Sequence, residues 1–164
     1  MRRSPAVQPP SAESVAELLE GVVGCPVTVE RAEASSAAHP EAPLAIAVYA
    51  RDDGWLGGVC LAELALLANA GAALAMIPPR VAHEGLGRGL VSDDIQNNFR
   101  EILHVMAGLF AGVAGSPVQL LGMRIVPAPL PDVMQRLIDE PGTHLELDVS
   151  IEGYGKGKLA LLHR

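Results

Sequence analysis

Asp52-Asp53-Gly54 stands between two apolar runs, PLAIAVYA and WLGGVCL, where Asp-Gly favours the tight turn of a β-hairpin. A hairpin commits its two strands to antiparallel pairing. A second hairpin is legible in HLELDVSIEGYGKGKLALL, residues 144–162. There Leu145, Leu147, Val149 and Ile151 point one way, and Glu146, Asp148 and Ser150 the other, the period-2 pattern of a half-buried strand. Strands paired in this way leave helices to cover the sheet rather than to cross between parallel neighbours. The fold class is therefore α+β, helices packed on a largely antiparallel sheet.

The remaining elements follow from local signals. Ser11 opens SAESVAELLEGVVG, a short helix ending at Gly21 or Gly24, and the segment from Val27 alternates as a strand. The polar stretch from Ser35 to Pro43 reads as a loop. Ala62 to Met76 reads as a helix stopped by Pro78-Pro79, RVAHEGLGRGL as a loop, and Ser92 as the cap of a long helix reaching Val113. Val118 to Val126 reads as a strand and Pro131 to Ile138 as a short helix. The expected order is α-βββ-αα-β-α-ββ, with residues 1–10 a flexible leader and 11–164 a single domain.

Length and composition set limits. A chain of 164 residues supports one domain with a real core, and five aromatics (Tyr49, Trp55, Phe99, Phe110, Tyr154) leave that core to aliphatic side chains. A net charge of −7 with so few stacking surfaces argues against nucleic-acid binding. Cys25 and Cys60 lie far apart with no CxxC, and His39, His83, His144 and His163 sit singly, so no metal centre is expected. Both cysteines read as small buried hydrophobes of a reduced, cytoplasmic protein. The leader MRRSPAVQPP lacks the apolar stretch of an export signal. The apolar segment 59–77 contains Glu63 and Asn69 and reads as a strand end followed by a buried helix, so no membrane insertion is expected. GLGRG at 85–89 lacks the preceding strand of a dinucleotide fingerprint and reads as a hinge. GYGKGK at 153–158 fails the phosphate-loop spacing and reads as a hairpin turn. No cofactor is expected.

The long helix carries the one unusual pattern. Ile95, Phe99, Leu103, Met106, Phe110 and Val113 recur at three or four and form its apolar stripe. Asn97, Glu101, His104 and Gly108 form a second stripe beside it. A glycine inside a helix costs about 1 kcal/mol relative to alanine. Glycine there permits the close approach of something to the helix backbone, either a helix of the same domain or a partner.

EILHVMAG, Glu101 to Gly108, resembles the E-x-x-N-x-x-x-G motif of the CheC, CheX and FliY chemotaxis phosphatases, and the element order is similar from Ser11 to Leu162. With one signature helix in the middle, the chain looks most like CheX. The resemblance implies a CheX-like domain whose partner is the receiver domain of a response regulator (CheY-like), and by the same analogy a homodimer. It also implies roles. The acid, matched by Glu101, docks by pairing with a lysine of the receiver; the amide positions the water that attacks the aspartyl phosphate in line. Here the amide position holds His104, and the residue four before the acid is Asn97 where the family often has Asp or Ser. The first helix offers no substitute, since Glu13 is followed three on by Ala16, and Glu17 by Glu20. The expectation is a receiver-binding domain, with Asn97, Glu101, His104 and Gly108 as the partner surface and a degenerate catalytic pair, Glu101 and His104, that has weakened or lost phosphatase activity. Two alternatives stand beside it: an active phosphatase using His104 as donor, acceptor or base, and a self-associating flagellar or chemotaxis interaction domain without phosphoryl chemistry.

Overall fold

The computed structural model describes residues 9–32, 43–126 and 143–163, together with Asp132 and Arg136. Its elements are α1 (Ala12–Val23), β1 (Val27–Arg31), β2 (Leu44–Arg51), β3 (Leu56–Glu63), α2 (Leu64–Leu74), α3 (Pro79–His83), α4 (Asp93–Ala114), β4 (Val118–Val126), β5 (Thr143–Ile151) and β6 (Gly155–His163). The strands form one sheet in the order β1-β5-β6-β3-β2-β4, and every pairing in it is antiparallel. The α+β class holds, with both hairpins where the turn residues place them. Gly54 takes a φ of 85° at the first turn, where the Asp53 carboxylate accepts the Trp55 N–H at 3.0 Å.

Alternation along the strands separates two apolar layers. Ala45, Ala47 and Tyr49 of β2, Cys60 and Ala62 of β3, and Leu159 and Leu161 of β6 face the helices with Leu145, Leu147, Val149 and Ile151 of β5. On the opposite face Leu44, Ile46, Val59, Leu61, Ala160 and Leu162 make a smaller cluster. That face turns polar toward β1 and β5, where Glu30, Asp148, Ser150, Lys156 and Lys158 line a concavity with Glu63.

Several local expectations are corrected. The expected loop RVAHEGLGRGL contains α3, begun by Pro79 at its first turn, and a single 3₁₀ turn over Leu86–Arg88 between Gly85 and Gly89, both at positive φ. The helix after β3 starts at Leu64, because Ala62 and Glu63 still pair with β2. In GYGKGK, Gly155 to Lys158 already belong to β6. The His83 Nε2 donates to Oδ1 of buried Asn69 at 2.7 Å, tying α3 to α2. Cys60 is buried, and burial pushes its thiol up to about 12, whereas Cys25 is only half-buried. No helix among the described residues is long and apolar enough to cross a membrane. The leader, the 35–43 loop except Pro43, and the 131–138 helix apart from helical Asp132 and Arg136 lie outside the described residues.

His163, buried at the end of β6, is held below the ordinary histidine range by burial and by nearby His144. The unfolded chain therefore binds a proton more readily than the folded one as pH falls through and below about 6.5. Stability should drop over that window. Urea unfolding of His163→Gln, set against wild type from neutral to mildly acidic pH, should show a shallower decline.

Candidate functional site

α4 is the longest helix, 22 residues, and each end is specified locally. The Ser92 hydroxyl accepts from the Ile95 N–H at 3.4 Å, and Asp93 and Asp94 place negative charge at the positive end of the helix dipole. At the other end Gly115 takes the left-handed conformation and its N–H returns to the Ala111 carbonyl at 3.0 Å.

Four contacts fix which face looks outward. Gly71 of α2 lies against the Ile95 backbone so closely that a Cβ would collide with the Ile95 carbonyl. One turn on, the Asn98 side-chain amide donates to the Gly71 carbonyl at 2.9 Å. The Tyr49 hydroxyl, rising from β2, donates to the Leu103 carbonyl at 2.7 Å. Phe110 fills the space over Gly58 of β3, its ring centroid 4.6 Å from that of Tyr49. With Ile95, Phe99, Ile102, Leu103, Met106 and Phe110 buried, the helix cannot roll. Ile102 belongs to this buried arc, and Val113, expected within it, is only half-buried.

The stripe of Asn97, Glu101, His104 and Gly108 is exposed along its whole length. Asn97 Oδ1 accepts from Arg100 Nη1 at 2.8 Å. Among the described residues Glu101 and His104 form no hydrogen bond or ion pair, with each other or with anything else. As neighbours at i and i+3 they stand side by side, available to a partner. Val105, 49% exposed and four residues after Glu101, adds an apolar contact to the same surface. The apolar stripe read from the sequence leaves Val105 out of the core but does not assign it to this surface. Nor does the pattern mark Tyr49, whose bond holds the turn carrying His104, because Tyr49 and Leu103 lie 54 apart in sequence.

Gly108 settles one of the two readings of its presence. Among the described residues a Cβ placed there meets nothing within 4 Å, so no described element requires the glycine. Gly108→Ala should raise stability by up to about 1 kcal/mol; thermal or urea unfolding checks the sign. An internal packing role would instead lower it.

No family model matches the sequence, and no curated protein matches it. Solved structures do. The middle domain of FliM from H. pylori superposes with a TM-score of 0.64 at 15% identity, covering 93% of this chain and 84% of that one. The fold is that of the CheC, CheX and FliM/FliY domains. A CheC-like superfamily protein from Shewanella gives 0.53 at 8% identity, with 93% of each chain covered. CheX from Borrelia burgdorferi, solved in a complex with CheY, BeF3 and Mg, gives 0.52 at 11% identity, with 90% of this chain and 91% of that one covered. The expected fold relationship holds, and it extends to FliM, which the motif did not single out.

Proposed function

We propose that this CheC/CheX-type domain docks a phosphorylated receiver domain of a response regulator on the outward face of α4, and that its phosphatase chemistry is weakened or lost. The observation that carries the reading is the exposed stripe of Asn97, Glu101, His104 and Gly108, with the Glu101 and His104 side chains unpartnered among the described residues, on a helix that Tyr49 and Phe110 hold to the sheet. The CheX complex with CheY supports a partner of that kind.

The chemistry explains the weakened activity. Hydrolysis of an aspartyl phosphate needs a water held in line with the phosphorus, and the receiver supplies most of the electrostatics itself. A short amide can hold that water as donor and acceptor at once. His104 presents the same two capacities on a longer ring aimed differently, and a misplacement of about 1 Å costs on the order of a hundredfold. Glu101 keeps its docking role because a cation on the partner needs only a carboxylate within reach.

The test follows the phosphate. A receiver domain of the same organism is phosphorylated with a small phosphodonor, and its decay is timed with and without this protein. The proposal expects a rate close to that of the receiver alone. Acceleration of tenfold or more (about 1.4 kcal/mol of barrier) that is lost in His104→Ala would establish the active-phosphatase reading instead. The non-catalytic flagellar reading draws on FliM, whose structures include complexes with FliG and SpeE. It requires that no receiver bind at all.

A further inference from the structure

The stripe on α4 is too small to hold a receiver by itself. From Asn97 to Gly108 it measures about 18 Å of helix about 10 Å across. A specific complex buries about 800 Å² on each partner, and its binding energy concentrates on a few large side chains, tryptophan prominent among them. The chain has a single tryptophan, and it stands at the end of α4. Trp55 is 73% exposed at the tip of the β2–β3 hairpin, and Leu56 beside it is 37% exposed.

Strand pairing puts Trp55 on the side of the sheet that α4 occupies. The Trp55 carbonyl accepts the Arg51 N–H at 2.8 Å, so these two residues face each other across the hairpin. Arg51 in turn stands opposite Val118 of β4, whose side chain belongs to the core beneath the helices. Opposed residues of antiparallel strands share a face, so Trp55, Arg51 and Val118 form one row on the helix side. α4 ends beside that row: Ala114 is its last residue, and three residues separate it from Val118. Along its outward face, from His104 to the hairpin, stand Gly108 and then Gly115, both exposed. Among the described residues a Cβ at either position meets nothing within 4 Å, so neither carries a side chain that would hold a partner off.

We infer that Trp55 is a second anchor of the docking surface and takes a lysine or arginine of the receiver laid along its ring. The turn chemistry suits a cation. Arg51 and Asp53 pair with each other at 2.8 Å, which leaves the exposed Asp52 carboxylate in the same tight turn as the indole. A partner cation is drawn both by the negative face of the ring and by that carboxylate. Glu101 makes the same offer at the other end of the face, and about 20 Å of helix separate it from Gly115. One charged contact lets a docked body pivot. Two contacts that far apart fix its rotation, and with it the position of the aspartyl phosphate over His104. This placement rests on the receiver docking proposed for α4 and extends it.

Isotopically labelled protein gives one indole N–H resonance, since Trp55 is its only tryptophan. An unlabelled receiver domain of the same organism, activated with beryllofluoride and magnesium, should shift that resonance together with the amides of Glu101 and His104. This readout uses the unaltered chain and so does not depend on how a variant folds. Trp55→Ala should lower the affinity at least tenfold with the melting temperature unchanged, because the ring is exposed, and Trp55→Phe should lose less. At saturation Trp55→Ala should still show the shifts at Glu101 and His104. Shifts on α4 with the indole unmoved overturn the second anchor and leave the receiver proposal standing, as does Trp55→Ala binding as tightly as wild type. No binding by any activated receiver overturns both.

Discussion

Phe110→Ala should lower the stability of the domain by about 3–5 kcal/mol, the cost of emptying a fully buried aromatic site. Phe110 is 0% exposed, and its ring occupies the volume that Gly58 leaves open on β3, against the ring of Tyr49. A chain with five aromatics has few groups able to refill that space, and its aliphatic neighbours are too short to reach across. Equilibrium urea unfolding measures the loss. The same substitution frees the end of α4 that carries Gly108, so receiver binding should weaken with it even though Phe110 lies on the buried side. A loss below about 1 kcal/mol would mean that the site collapses readily and that α4 is not held as described.

The sequence spoke for the sheet and for α4 because both rest on local periodicity. Leu145, Leu147, Val149 and Ile151 all face the helices, as alternation demands, and Ser92 and Gly115 mark the limits of α4 through capping chemistry that involves only neighbours. The exposed polar stripe was legible for the same reason, since a 3.6-residue period places Asn97, Glu101, His104 and Gly108 together on any helix. What periodicity cannot give is the partner across the fold. Tyr49 donating to the Leu103 carbonyl, Asn98 to Gly71, and Phe110 over Gly58 all join residues distant in the chain. Val105, left out of the apolar stripe, lies beside the exposed polar residues, as its spacing of four from Glu101 requires. The short α3 was hidden because glycine-rich RVAHEGLGRGL reads as loop, while Pro79 pre-sets the first turn of a helix too brief to show a period.

His104→Asn should raise the rate at which this protein dephosphorylates a bound receiver, by on the order of a hundredfold if water placement is the whole deficit. The change restores the acid-amide pair, Glu101 with an asparagine three residues on, and leaves the buried face of α4 untouched. Because His104 is exposed and its side chain makes no hydrogen bond or ion pair among the described residues, the variant should fold with unaltered stability, so any gain belongs to the chemistry. A single-turnover assay with pre-phosphorylated receiver separates this gain from binding. If His104→Asn leaves the rate unchanged while the receiver still binds, the deficit lies elsewhere on the stripe. Asn97, held by Arg100, is then the next residue to alter.

The proposed function rests on a receiver domain binding the outward face of α4. Receiver domains of the same organism, locked in the phosphorylated form with beryllofluoride and magnesium, can be titrated into isotopically labelled protein while the amide resonances of Asn97 to Gly112 are followed. One receiver is expected to shift the resonances around Glu101, His104 and Gly108, only when activated, with affinity falling at least tenfold (about 1.4 kcal/mol) in Glu101→Ala. Binding that leaves the α4 resonances in place, or no binding by any activated receiver, would contradict the account.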